Sequence, residues 1–151
     1  MKEYVLKKIS FDDYPILLDW ANDPITRSSS FNSDIIDVEE HKEFIKTVIE
    51  DKNKNQYIFY LDNQPLGTIR EKRLSNNDLE LSYTVSPKNR NKNIGSKMMM
   101  KYLYGKKGVF ICRIKKDNLA SMKMVTKCGF KLWKKENDIV YYILKLINEK
   151  N

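Results

Sequence analysis

The sequence predicts a mixed α/β (α+β) fold with a central, mostly antiparallel sheet of about seven strands flanked by about four helices. The chain has 151 residues, of which 41% are hydrophobic, enough for one domain with its own core. Segments of strand period and of helix period alternate along it. It contains no repeat, low-complexity segment or interdomain linker. We therefore expect residues 1–151 to form a single mixed α/β domain.

Two kinds of periodicity locate the elements. Strands are expected over residues 3–9, 56–62, 65–74, 78–85, 109–114, 130–136 and 139–146. Helices are expected over residues 14–22, 38–52, from about 93 to the glycines at 105–108, and 118–128.

The first half of the chain is predicted from capping and breaking signals. Ser10 is a helix-start signal after the first strand. Asp23-Pro24 is expected to break the first helix, and the polar segment 26–34 has no periodicity, so it is the first candidate substrate loop. Asp37 followed by Glu40 has the form of a capping box that opens the second helix.

Turn and cap residues divide the second half. Asn63-Gln64 and Asn137-Asp138 are turns that predict two hairpins. Asp117 or Asn118 caps the last helix, and Gly129 stands where a C-terminal glycine is expected. The resulting order is strand, two helices, three antiparallel strands, helix, strand, helix and two strands.

The composition favours an anionic partner. The chain has 28 basic and 20 acidic side chains, a formal charge of +8 and a pI near 9.3. This charge suits a phosphate-bearing cofactor, a nucleic acid or an acidic membrane surface, and it suits a solvated basic surface equally well.

Targeting and metal-binding signals are not expected in this chain. The N-terminal segment alternates polar and apolar residues, which argues against a signal peptide or membrane anchor and for a cytoplasmic protein. Cys112 and Cys128 have no metal-ligand spacing and are expected to be buried thiols. His41 is the only histidine, so no metal site is expected.

A basic loop between a strand and a helix is the strongest local candidate for a site. Arg90 and Lys92 provide charge, Gly95 removes a side chain where a ligand must approach the backbone, and the helix start adds its amides. The loop suits a pyrophosphate but is neither a dinucleotide fingerprint nor a P-loop. Taken alone, an ordinary connection is the more common explanation.

The loop belongs to a wider pattern, which consists of Arg90-x-x-Asn93-x-Gly95-Ser96, Asn118-x-x-Ser121, Cys128-Gly129-Phe130 and the order of elements. Over nearly the whole chain this pattern resembles the GCN5-related N-acetyltransferase (GNAT) family. The family's loop is Arg/Gln-x-x-Gly-x-Gly/Ala, so Asn93 replaces its first glycine. Asparagine tolerates left-handed backbone angles better than most residues, and the departure is mild.

The resemblance implies that acetyl-coenzyme A is bound as acetyl donor. The backbone of Thr84 and Val85 would pair with the pantetheine arm, and Asn118 and Ser121 would lie beside that arm, with Asn118 also able to act as a plain helix cap. The pyrophosphate would be held by the whole loop, namely Arg90, Asn91, Lys92, Asn93, Ile94, Gly95 and Ser96.

Acetyl transfer to an amine also needs a base and a proton donor. Glu80 is our candidate base, acting through water, because it stands among apolar residues of a central strand. The alternative is an ion pair with Arg70 or Lys72 on the neighbouring strand. Many family members carry a tyrosine as general acid where this chain has Val125. The proton donor is therefore unassigned, and Tyr83 is expected to point to the other face.

The N-terminal part of the chain contains Trp20-x-Asn22-Asp23-Pro24-x-x-Arg27, then Ser30-Phe31-Asn32-Ser33 and Glu39-Glu40-His41. With Gly67 and Arg70 on the third strand, this pattern resembles a subgroup of the family that acetylates the 4-amino group of UDP-linked deoxy sugars in pseudaminic-acid-type biosynthesis. The candidate substrate-binding residues are Asn22, Arg27, Phe31, His41 and Arg70. Arg27 as a surface residue and His41 as a core histidine are the alternatives.

Two other functions stay open at this level. One is a ribosomal-protein-type N-terminal acetyltransferase, and the other is a basic nucleic-acid-binding module without catalysis. Aromatic residues on predicted core faces disfavour the second, and the net charge disfavours an aminoglycoside as acceptor. The expected partner is a small amino-sugar nucleotide, with no nucleic acid and no membrane. A homodimer is left open.

Overall fold

The computed structural model of the protein describes residues 3–147, which form one seven-stranded sheet with five α-helices. The strands are β1 (Tyr4–Lys8), β2 (Lys54–Leu61), β3 (Gln64–Arg73), β4 (Leu79–Val85), β5 (Gly108–Lys115), β6 (Lys131–Glu136) and β7 (Ile139–Leu146). The helices are α1 (Tyr14–Ala21), α2 (Pro24–Ser29), α3 (Val38–Glu50), α4 (Ile94–Leu103) and α5 (Leu119–Lys127).

The sheet has the strand order β1-β2-β3-β4-β5-β7-β6. Every neighbouring pair is antiparallel except β4 and β5, which are parallel and are connected through α4. The predicted fold class is therefore confirmed. The C-terminal hairpin returns so that its second strand, β7, lies between β5 and β6.

Two hydrophobic clusters cover the two faces of the sheet. Ile58 packs with Leu17 of α1 and Ile45 of α3, whereas the next residue of β2, Phe59, belongs to a larger cluster with Met98 of α4. Successive residues of a strand point to opposite faces, so α1 and α3 cover one face and α4 the other. On β4, Glu80, Ser82 and Thr84 share the face that Leu81 and Tyr83 do not, as the sequence predicts.

One helix was not predicted. Asp23-Pro24 ends α1, but it also begins α2 within the segment expected to be a loop. The Asp23 carboxylate accepts a hydrogen bond from the amide of Thr26 at 3.2 Å, and Pro24 occupies the first helical turn, where proline is favoured. The helix count is therefore five rather than about four. No helix within residues 3–147 has the length and apolar character needed to cross a membrane.

Strands β4 and β5 separate after a short paired stretch. They are in register over only three positions, from Leu79 opposite Phe110 to Leu81 opposite Cys112. Beyond Leu81, β4 continues to Val85 while paired only with β3. Its edge toward β5 is therefore left without a strand partner, and an opening forms in the middle of the sheet.

Two glycines give a matched test of close packing around this opening. A Cβ atom on Gly67 would lie 2.8 Å from the carbonyl oxygen of Thr84, whereas one on Gly95 would meet nothing nearer than the Met124 Cγ at 3.4 Å. We expect Gly67→Ala to lower the free energy of unfolding by about 1–3 kcal/mol because β3 and β4 must move apart. Gly95→Ala should leave it unchanged or raise it by up to about 1 kcal/mol, since alanine favours helix.

Urea denaturation of both variants and the unchanged protein measures the difference. Equal effects of the two substitutions would contradict the close approach of β3 to β4 at Gly67.

Candidate functional site

The opening between β4 and β5 leads into a cavity of about 1060 Å³. This volume is at the upper end for small-molecule sites. The predicted site residues that line it are Arg27, Phe31, His41, Arg70, Thr84, Val85, Arg90, Asn91, Asn93, Ile94, Gly95, Ser96, Asn118 and Ser121. Three others are not among the lining residues: Asn22, Glu80 and Lys92. The structure thus brings the predicted donor and substrate residues around one space.

The loop before α4 has the geometry of an anion cradle. Asn91 and Asn93 both adopt left-handed backbone conformations, with φ of 63° and 62°. No side chain caps α4, whereas Asn118 caps α5 by accepting a hydrogen bond from the Ser121 amide at 3.2 Å. The first amides of α4 are thus available at the positive end of the helix. The loop fits the diphosphate of a coenzyme A donor.

Arg90 connects this cradle to α2. Its guanidinium donates to the Asp23 carboxylate at 2.5 Å and to the Thr26 hydroxyl at 3.1 Å. The hydrogen bond from Arg90 holds the pKa of the Asp23 carboxyl below its ordinary value. Arg90 therefore lines the cavity while it is bound to the start of α2, and Lys92 of the same loop is exposed away from the cavity.

The unpaired edge of β4 forms one wall. Thr84 and Val85 are opposite Thr68 and Gly67 on the β3 side and have no strand partner on the β5 side. Backbone groups on such an edge can pair with an extended chain of amides in the manner of an added strand. The pantetheine arm of coenzyme A is a chain of this kind.

Glu80 lies on β4 within the paired stretch. Its carboxylate accepts a hydrogen bond from Arg113 of β5 at 3.3 Å. Glu80 therefore forms an ion pair, as the alternative prediction had it, but with Arg113 of β5 and not with Arg70 or Lys72 of β3. The Arg113 guanidinium also lies 4.7 Å from the ring centre of Phe31. This arrangement brings the segment after α2 toward Glu80.

Two of the predicted substrate residues organise the segment between α2 and α3. The Arg27 guanidinium donates to the carbonyl oxygens of Ala21 at 2.6 Å, Asn32 at 2.9 Å and Asp34 at 3.1 Å, and to the Ser30 hydroxyl at 3.2 Å. The Asn22 side-chain amide exchanges two hydrogen bonds, of 2.8 and 2.9 Å, with the backbone of Ile36. Both residues thus shape the wall of the cavity. Because its amide is occupied by Ile36, Asn22 does not fit the predicted direct contact with substrate.

Polar groups without partners gather on the α3, β2 and β3 side of the cavity. The Nε2 of His41 and the Oε1 of Gln56 are the buried side-chain atoms that lack a hydrogen bond within residues 3–147. Burial lowers the pKa of His41, so its ring is neutral near pH 7. The largely buried Arg70 guanidinium lies 4.9 Å from the ring centre of Phe44 and forms no salt bridge within residues 3–147, although the Glu80 carboxylate is near enough to offset part of the effect of burial on the pKa of Arg70. Because buried polar groups are normally hydrogen-bonded, these groups are suited to bind a polar ligand.

Two residues of the site were missed by the sequence analysis. Arg113 interrupts the apolar strand β5, and this interruption is a signal that could have been noticed. Gln56 follows the polar residues Lys54 and Asn55 at the start of β2 and gave no such signal. Tyr83 was considered and set aside because it points to the face opposite Glu80; in the structure its ring packs against the α4 cluster and its hydroxyl reaches Ser121.

Comparisons with known proteins agree with this geometry. A family model described as an acetyltransferase (GNAT) domain matches residues 4–131. The chain is 24% identical over 143 residues to acetyltransferase PseH of Campylobacter jejuni, covering 91% of this chain and 89% of that protein.

Solved structures share the fold. The structure of C. jejuni N-acetyltransferase PseH with acetyl coenzyme A superimposes with a TM-score of 0.72 at 18% identity, covering 95% of this chain and 99% of that one. Spermidine N-acetyltransferase of Vibrio cholerae, solved with CoA and spermine, gives 0.84 at 12% identity, covering 95% of each chain.

Proposed function

We propose that this chain, which belongs to the GNAT acetyltransferase family, acetylates the 4-amino group of a UDP-linked amino-deoxy sugar. The family and its relatives establish the coarser activity: the protein is an N-acetyltransferase, and acetyl-coenzyme A is its donor. The acceptor is the proposed part. The observation that carries it is the charge of the cavity.

The cavity is strongly basic. Its lining includes six cationic side chains and one acidic side chain: Arg27, Arg70, Arg90, Arg113, Lys123 and Lys127 against Glu40. The phosphates of the donor account for the cations near α4 and α5. Arg90 and Arg113 are paired with Asp23 and Glu80, so Arg70 on β3, which forms no salt bridge within residues 3–147, is the cation that remains for the acceptor. This excess favours a phosphate-bearing acceptor and disfavours cationic ones such as polyamines and aminoglycosides.

The unpartnered groups suit a nucleotide sugar. Arg70 presents a planar fork that can bind a diphosphate with two parallel hydrogen bonds. The neutral His41 ring and the Gln56 carbonyl oxygen can pair with sugar hydroxyls. The similarity to PseH over 143 residues, together with the resemblance of residues 20–41 to enzymes of 4-amino sugars, supports the same acceptor.

The division of work follows from the placement of the residues. The α4 cradle and the β4 edge bind and orient the donor, whose thioester supplies an activated acetyl group. Arg70, His41 and Gln56 hold the acceptor so that its amine faces the opening between β4 and β5. Holding two reactants in this way supplies much of the rate enhancement. Glu80, at the closed end of the opening, takes the amine proton through a water molecule.

A thiol-release assay with acetyl-coenzyme A tests the acceptor. The panel contains a UDP-linked 4-amino-4,6-dideoxy sugar, the same amino sugar without UDP, an alanine-initiated ribosomal-protein peptide and spermidine. We expect turnover with the UDP sugar. Removing UDP should raise KM by at least roughly 10- to 100-fold, because even one charge-assisted hydrogen bond to phosphate contributes that much. Preference for the peptide or for spermidine would contradict the proposal while leaving the acetyltransferase activity intact.

A further inference from the structure

The Tyr83 and Ser121 hydroxyls form a hydrogen bond across the opening in the sheet. Tyr83 lies on β4 next to Thr84, whose backbone is part of the wall for the donor's arm, and Ser121 lies in the first turn of α5. Both residues line the cavity. The bond therefore places a phenol beside the path of the donor, between the pyrophosphate cradle and Glu80.

The surroundings of this phenol keep it protonated. Burial raises the pKa of Tyr83, and the hydrogen bond with Ser121 opposes only part of this shift. The phenol thus carries its proton throughout the neutral range. After the phenol has donated its proton, its anion would be stabilised by the Ser121 hydroxyl and by the positive N-terminal end of α5.

The position where many family members carry a tyrosine cannot supply this proton. It is occupied by Val125, which is fully buried in the core against α4 and β5 and has no ionisable group. Within residues 3–147, Tyr83 is the tyrosine that lines the cavity.

We propose that Tyr83 is the general acid of the transferase, donating its proton to the sulfur that leaves the acetyl group, and that Ser121 is the positioning residue that holds it. In this step the C–N bond forms and the C–S bond breaks. The phenol proton passes to sulfur, and the proton released by the amine replaces it through solvent. Donor and acceptor thus become amide and free thiol with protons in balance. The inference rests on the acetyltransferase activity and not on the identity of the acceptor.

Tyr83→Phe is the direct test, because phenylalanine keeps the ring that packs against the core. We expect kcat to fall by about 10²- to 10⁴-fold, the usual contribution of a positioned acid, with unchanged affinity for acetyl-coenzyme A by isothermal titration. Ser121→Ala should lower kcat by up to about tenfold, which is the contribution of one neutral hydrogen bond. The matched control is Tyr142→Phe on β7, a partly buried tyrosine packed on the same core and outside the cavity lining.

Two readouts separate the acid from a merely structural role. The first is thiol release by water in the absence of any acceptor, which needs the same proton and does not depend on the proposed sugar. The second is acetyl-seleno-coenzyme A, whose selenolate is a much weaker base and leaves without protonation. Tyr83→Phe should slow thiol release by water, and its loss of kcat should largely vanish with acetyl-seleno-coenzyme A. An unchanged kcat, or an equal defect with the sulfur and selenium donors, would overturn the proposal.

Discussion

Replacing Glu80 by glutamine should reduce kcat by about 10²- to 10⁴-fold near neutral pH and leave the affinity for acetyl-coenzyme A unchanged. The amide has the size of the carboxylate but cannot take a proton from the attacking amine. At higher pH a larger share of the acceptor is already neutral, so the defect should shrink. Rate profiles against pH for both proteins measure this, and rates equal at every pH would remove Glu80 as the base.

The ion pair with Arg113 is the competing explanation for Glu80, and a second variant separates the two. If the carboxylate serves only to hold Arg113, then Arg113→Met should lower kcat as much as Glu80→Gln, and the double variant should lose nothing further. If Glu80 is the base, its replacement should be much more harmful than that of Arg113. The pair is partly exposed, with side-chain exposures of 22% and 36%, so its own contribution to stability is small.

Local signals were sufficient to predict most of the fold. Period changes and turn residues located all seven strands, and Asn93 was predicted to tolerate a left-handed backbone, which the structure confirms. Asp23-Pro24 shows the limit of such signals. The same pair ends one helix and caps the next, and only the hydrogen bond from Thr26 reveals the second role.

The site was predictable where it depends on one segment and not where it depends on distant ones. The cradle before α4 is contiguous in sequence, and all of its predicted residues except Lys92 line the cavity. The partner of Glu80 comes from β5, which is 33 residues away and pairs with β4 in parallel. The sequence predicts that β3 and β4 are antiparallel neighbours and therefore suggested a partner on β3. The Tyr83 hydroxyl likewise meets a helix 38 residues further along the chain. Such contacts are set by tertiary packing.

Arg70→Met should make the protein more stable and its acceptor binding weaker. The guanidinium is largely buried and forms no salt bridge within residues 3–147, and burial lowers its pKa more than the nearby Glu80 carboxylate raises it, so the charge is costly in the empty enzyme. Methionine has an unbranched apolar side chain that can contact the Phe44 ring, where the guanidinium now lies 4.9 Å from the ring centre, and replacing a buried charge by an apolar group stabilises by up to about 4 kcal/mol. The KM for the UDP sugar should rise by roughly 10- to 100-fold for the loss of one charge-assisted phosphate contact.

A gain in stability together with a loss of acceptor binding distinguishes a ligand-binding arginine from a structural one. Arg113→Met is the matched control. Arg113 is already paired with Glu80, so its removal leaves the Glu80 carboxylate without this partner and should not raise the stability of the protein. Thermal unfolding with and without UDP gives both quantities. UDP should raise the melting temperature of the unchanged protein and do so much less for Arg70→Met. If Arg70→Met melts lower than the unchanged protein and still responds fully to UDP, Arg70 is part of the scaffold, and the acceptor's phosphates bind elsewhere in the cavity.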